Sequence, residues 1–268
     1  MRWLPSLVTV SLLSGCSLFA TATDVQAAAT SAPTNPRSPA FNLQDLVDPL
    51  TEARRQFERQ HPSKPAPKQL QAMLDAPLIA QNPELRYGCE VTSLAMMLAH
   101  AGVKVEKMEL FHRIRKDLDP LQVKPDGDVI AWGDPDDGFV GDMTGKRGRG
   151  YSVNAAPMQE LAEQYLPERI LNLSGTSFEA VLDQLRAGKP VVVWTTAHFH
   201  KPRKWDMWQH GREQIRGTRE MHAVLLVGFD EKYVYMNDPL TRRQHQRADR
   251  QAFEQSWIAL GRQALSYR

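Results

Sequence analysis

The residue of this 268-residue chain best suited to nucleophilic chemistry is Cys89, set in Tyr87-Gly88-Cys89-Glu90-Val91-Thr92-Ser93 at the mouth of an apolar run with helical spacing. A thiol at a helix N-terminus meets the positive end of the helix dipole, which favours the thiolate, the form that attacks carbonyls. A nucleophile of this kind needs a base and a group to orient the base. His222 opens the strand-like run His222-Ala-Val-Leu-Leu-Val-Gly-Phe229, and Asp238, in Asn237-Asp238-Pro239, ends the next one 16 residues later. A hairpin of two strands returns the chain beside its start, so Asp238 can approach His222, fix its tautomer and stabilise its imidazolium. An acyl transfer through a thioester also needs donors for the oxyanion. The Cys89 N–H, at a helix start, is one. Gln81, eight residues upstream in Pro77-Leu-Ile-Ala-Gln81-Asn82, is the best side-chain candidate, with Asn82 as its competitor.

The elements that must position these groups are legible from periodicity and punctuation. Val91, Leu94, Ala95, Leu98 and Ala101 mark one face of a helix over 89–101, closed by Gly102. Helices are also expected over 105–116 and 157–166 and near the end of the chain, over 249–260. Thr176-Ser-Phe-Glu179 reads as the capping box of a helix that ends at Gly188. Val191–Thr196 reads as a buried strand, and 222–229 and 233–237 as a hairpin turning across Asp230-Glu-Lys232. Helices first and a cluster of strands late predict an α+β fold.

Six segments, in order, carry a resemblance: 75–84 around Gln81, Gly88–Ala95, Gly138–Asp142, Gly188–Thr195, His222–Gly228 and Asn237–Pro239. Together they resemble the C39-like cysteine peptidases, relatives of the bacteriocin-leader peptidase domains. The likeness spans roughly Leu74 to Leu260. It implies a papain-like fold, in which an N-terminal helix carrying the nucleophile packs on an antiparallel sheet carrying His and Asp. It implies Cys89 as nucleophile, His222 as base, Asp238 as orienter and Gln81 as oxyanion donor. It also implies a peptide or protein substrate and no cofactor. Two rivals share the residues: a cell-wall peptide amidase or transpeptidase on the same fold, and an inactive binding protein.

The N-terminal region has its own reading. Residues 1–15 resemble a lipoprotein signal, with Arg2 as the positive n-region, Leu4–Leu13 as the apolar stretch and Leu13-Ser-Gly-Cys16 as a lipobox whose cysteine takes the lipid. Residues 16–41 read as a flexible tether. Residues 42–68 read as a linker helix followed by a Pro-rich break at 61–67, and 69–268 as the peptidase domain. The expectation is an extracytoplasmic monomer, lipid-anchored to a bacterial membrane. With only Cys16 and Cys89 present, a lipidated Cys16 leaves Cys89 as a lone thiol. A net charge of +2 gives no reason to expect nucleic-acid binding.

Several features read blandly. The long Gly- and Asp-rich stretch 117–150 is expected to wall a cleft, its aspartates out of EF-hand register for calcium. His198, His200 and His210 lack the companions of a zinc site. The basic stretch 201–219, with Trp205 and Trp208, reads as a solvated insertion. Glu90 is given no catalytic role.

Overall fold

A computed structural model describes residues 44–60 and 68–268. Cys16, the signal, the whole tether and the Pro-rich break lie outside the described residues. The chain divides at Pro65/Ala66 into two units. In the first, α1 (Gln44–Gln60) carries Pro49 within it, and Glu52 pairs with Arg59 at 2.8 Å. That exposed pair adds little stability.

The second unit runs through β1 (Ala72–Met73), α2 (Cys89–His100), α3 (Lys107–Arg113), β2 (Lys116–Asp117), β3 (Gln122–Val123), β4 (Val129–Ala131), β5 (Phe139–Val140), α4 (Ala155–Glu163) and β6 (Ile170–Asn172). It continues through α5 (Phe178–Arg186), β7 (Val191–Thr196), β8 (Asp206–His210), β9 (Glu213–Gly217), β10 (Met221–Phe229), β11 (Tyr233–Asp238), β12 (Arg243–Asp249), α6 (Arg250–Ala259) and β13 (Ala264–Tyr267). The large sheet has the order β12-β11-β10-β7-β13-β6, with β1 added on β10, and every pairing in it is antiparallel. The fold is thus mixed α/β around an antiparallel sheet.

The continuous apolar runs of β7 and β10 follow from helices covering both faces of this sheet. Side chains alternate along a strand. Val192, Trp194, Leu225 and Val227 join the core beneath α2 and α4, while Val191, Val193, Val224 and Leu226 join the core beneath α5 and α6. Helix α5 meets the second core with Phe178, Val181, Leu182 and Leu185, spaced to form one stripe. Helix α2 is buried on nearly every side from Cys89 to Leu98, because α3 and α4 cover the flank away from the sheet. The β10–β11 turn is held by Asp230, whose Oδ1 accepts the N–H groups of Lys232 and Tyr233 at 2.8 and 2.7 Å.

Three local expectations shift. The cap of α5 is Ser177, not Thr176: Ser177 Oγ accepts the Ala180 N–H at 3.2 Å, and Glu179 turns instead to Arg186 at 2.8 Å. The expected helix 105–116 contracts to Lys107–Arg113. The stretch 201–219 keeps its basic side chains in solvent, as expected, but is built into a sheet. It forms the β8–β9 hairpin, and β8 pairs parallel with β4 to make a second sheet, β3-β4-β8-β9, around Val129, Trp132, Val140 and Trp208.

Candidate active site

Gly88 sets where α2 begins. A Cβ on it would lie 2.5 Å from the Cβ of Leu85, which is fully buried and cannot yield. Gly88→Ala is therefore expected to destabilise the protein by about 1–3 kcal/mol, the usual cost of overpacking, read as a lower urea midpoint at unchanged m-value. The other end closes as expected, with Gly102 at φ +86° and the Val103 N–H reaching the Leu98 carbonyl at 2.9 Å.

Cys89, at the first turn of α2, lies against the strand that carries His222. One turn on, Ser93 Oγ donates at 3.3 Å to the carbonyl of Ala223, the residue after His222. His222 and Asp238 are joined directly. His222 Nε2 lies 2.8 Å from Asp238 Oδ1, and both residues are almost completely buried. Asp238 Oδ1 also accepts the Leu240 N–H at 2.9 Å. Burial raises the Asp238 carboxyl, but the hydrogen bond and the charge of His222 outweigh it and hold the group below its ordinary value. An acid held low in the folded state stabilises the fold above its unfolded pKa, about 3.9, and that contribution is lost as pH falls through the lowered value.

Gln81 is brought to the same place. Its N–H donates to the Pro239 carbonyl at 2.9 Å, next to Asp238, and its side chain is buried. Its Nε2 spends one proton on the Arg86 carbonyl at 2.9 Å, so one amide proton remains. Asn82 is only partly buried. The loop is fastened on two sides that the sequence did not announce. Lys107 Nζ donates to the carbonyls of Ala80 and Gln81 and to Glu84 Oε2, and buried Asn237 Nδ2 donates to the Ala76 carbonyl at 2.8 Å.

The electrostatics of the thiol reverse the expectation drawn from the helix dipole. Glu90 is fully buried beside Cys89, and the Cys89 thiol donates to Glu90 Oε2 at 3.3 Å. The other carboxylate oxygen accepts from Ser152 Oγ at 2.8 Å and the Val153 N–H at 3.2 Å. Burial, and next the charge of Glu90, push the Cys89 thiol well above its ordinary range. Burial pushes Glu90 up as well. The sequence shows Glu90 beside the thiol but not that it is held buried there, because its partners Ser152 and Val153 lie 62 and 63 residues away.

The remaining polar candidates disperse. His198 pairs with Glu220 at 2.6 Å and stacks on His200, whereas His210 faces Asp117 and Asp119 at 3.2 and 3.4 Å. Among the described residues the side chains that could hold a cation are Asp117–Asp119–His210 and Asp134–Asp137–His210. Asp117 already accepts the N–H groups of Asp119 and Asp134, and Asp134 that of Asp136.

The family described as Peptidase_C39-like matches residues 73–265, which takes in Gln81, Cys89, Glu90, His222 and Asp238. The chain belongs to this family. A relative, the uncharacterized protein YvpB of Bacillus subtilis strain 168, is 40% identical over 183 residues, covering 68% of this chain and 70% of YvpB. The crystal structure of a candidate C39-like peptidase from Bacillus anthracis is similar at 39% identity with a TM-score of 0.68, covering 74% of this chain and 97% of that one. The peptidase domain of Streptococcus ComA, a bi-functional ABC transporter, is matched at 15% identity and a TM-score of 0.40, over 71% of this chain and 95% of that one.

Proposed function

We propose that this C39-like chain is a cysteine peptidase that cleaves peptide bonds through Cys89, His222 and Asp238. The observation that carries the reading is the buried His222–Asp238 pair, 2.8 Å apart, whose histidine lies on β10, the strand against which α2 is packed. Asp238 occupies Nε2 of the imidazole, so Nδ1 is the nitrogen that exchanges a proton with the thiol. The thiol rests protonated, because burial and Glu90 oppose its ionisation. His222 therefore acts as general base during attack: the Cys89 proton passes to Nδ1 as sulfur bonds to the carbonyl carbon. The Cys89 N–H and the free amide proton of Gln81 receive the oxyanion. The imidazolium then gives its proton to the leaving amine, and water, deprotonated by the same imidazole, releases the acid from the thioester.

The test is digestion of a mixed peptide library, run beside labelled cell-wall peptide fragments and read by mass spectrometry. New peptide termini that depend on Cys89 support the peptidase. Cleavage or joining of wall fragments alone would assign the amidase or transpeptidase chemistry. A site that neither cleaves nor reacts with a thiol probe would leave a binding protein.

The Leu13-Ser-Gly-Cys16 motif and the following tether-like stretch support export and lipid anchoring. Among the described residues no helix is long and apolar enough to cross a membrane. Cys16→Ser is expected to abolish palmitate incorporation by the full chain. Labelling that persisted would end the lipobox reading.

A further inference from the structure

The two insertions that pair to form the second sheet enclose a pocket of about 310 Å³. Its wall includes Tyr87, two residues before Cys89, and Met221, the residue before His222. Consecutive Cα atoms are about 3.8 Å apart, so two lining residues lie within one or two backbone steps of Cys89 and His222, although neither of those side chains lines the pocket. Its volume suits one large side chain, at the small end of ligand pockets.

Three further aromatic rings line the wall, and all are held in place. Trp208 Nε1 donates to the Gly133 carbonyl at 2.9 Å, and Tyr151 Oη accepts the Thr218 N–H at 3.1 Å. Tyr151 meets Trp208 edge-on at 5.1 Å, and Trp132 tilts against Tyr151 at 5.9 Å. Two glycines let the rings close. A Cβ on Gly141 would lie 2.7 Å from Trp132 Cζ2, and one on Gly217 would overlap Tyr151 Oη and the Trp208 ring.

The charges are not balanced. Asp206 on the wall is neutralised by Arg219, whose Nε lies 2.9 Å away. Arg149, also on the wall, makes no side-chain hydrogen bond or ion pair among the described residues, and its Nη1 is shielded from solvent without a partner. A cationic donor taken from water with nothing to bind is unfavourable. A carboxylate is its natural complement, because the guanidinium fork matches two oxygens.

We propose that this pocket is a specificity subsite that seats a carboxylate of the peptide substrate, carried on an acidic side chain next to the scissile bond, with Arg149 as its receptor and the Trp132 and Trp208 rings against its alkyl stem. The proposal rests on the peptidase reading above for the identity of the substrate. Arg149 is then a residue that selects among substrates and touches no reacting atom.

Binding rather than turnover tests it, in the full chain carrying Cys89→Ala, so that a failure of the catalytic reading does not hide the result. The probes are acetylated, amidated alanine-based hexapeptides carrying one Glu, Gln or Lys, and a Gln peptide with a free C-terminal carboxylate. Affinity is read by titration calorimetry. The Glu peptide is expected to bind about tenfold or more tightly than the Gln peptide, the scale of one charge-assisted contact. Adding Arg149→Gln should remove that preference, and Arg149→Lys should keep part of it. An Arg149-dependent gain from the free terminus instead would support the carboxylate site and assign it to chain ends. Equal binding of Glu and Gln peptides, a preference for Lys, or a Glu preference that survives Arg149→Gln would overturn it. Arg149-dependent binding without any hydrolysis by the wild-type chain would retain the pocket and remove the peptidase.

Discussion

Cys89→Ala is expected to lower peptide hydrolysis by about 10⁴-fold or more, since no other thiol is present among the described residues to take its place. His222→Ala should cost about 10²- to 10⁴-fold, the range associated with one positioned acid–base group. Combining the two should cost scarcely more than Cys89→Ala alone, because a base without its nucleophile contributes nothing to attack. Asp238→Asn should fall between the wild type and His222→Ala. An Asn oxygen can still accept from His222 Nε2 but brings no charge to stabilise the imidazolium. The measurement is kcat/KM on one peptide from the library digest, with far-ultraviolet circular dichroism and urea midpoints confirming that each variant is folded. Replacing a thiol by a methyl group at a helix start removes little buried area, so Cys89→Ala should stay close to wild type in stability. Activity of Cys89→Ala within a few fold of wild type would falsify the nucleophile assignment, and additive losses in the double variant would show that Cys89 and His222 do not act as a unit.

The second large effect concerns the pH at which the thiol becomes reactive. An ordinary cysteine has a pKa near about 8.5. Burial, and after it the carboxylate of Glu90, holds the Cys89 thiol well above that. Less thiolate is then present at neutral pH than in a free thiol, and alkylation by iodoacetamide should rise only at pH values above those that activate a free cysteine. Glu90→Gln removes the negative charge while its amide oxygen can still accept from Ser152 and Val153. Its amide N–H groups face sulfur as donors, which favours the thiolate further. The alkylation profile of Glu90→Gln should therefore move to lower pH by a unit or more, a tenfold change in thiolate fraction at fixed pH below the midpoint. Superimposable profiles for the two proteins would show that the carboxylate does not act on the thiol. A wild-type profile lying below that of a free cysteine would restore the helix dipole as the dominant influence.

Much of the scaffold follows from short-range signals. The apolar spacing from Val91 to Leu98 and Gly102 at the helix end specify α2, and the β-branched runs with Asp230 between them specify β10 and its return along β11. These depend on a few neighbouring residues, so they are written locally. The order Cys89, His222, Asp238 was legible for the same reason: each lies at the edge of an element whose period marks it, and two strands joined by a tight turn leave His222 and Asp238 little choice but to meet. Other features depend on partners far away in the chain. The polar β12, with residues such as Arg243 and Gln246, has no apolar alternation because it forms an exposed edge, and its existence rests on pairing with β11. The parallel contact of β4 with β8 joins segments about 75 residues apart in sequence, and no local pattern announces a pairing of that kind. It turned a basic stretch into the wall of a pocket and put Trp132 against Trp208, whose ring centroids lie 6.2 Å apart. The state of the thiol was also decided in three dimensions. Position at a helix start argues for the thiolate, but the strength of a charge depends on what surrounds it. Only the folded chain withdraws Cys89 and Glu90 from water together, and in that setting burial and the adjacent carboxylate both raise the thiol.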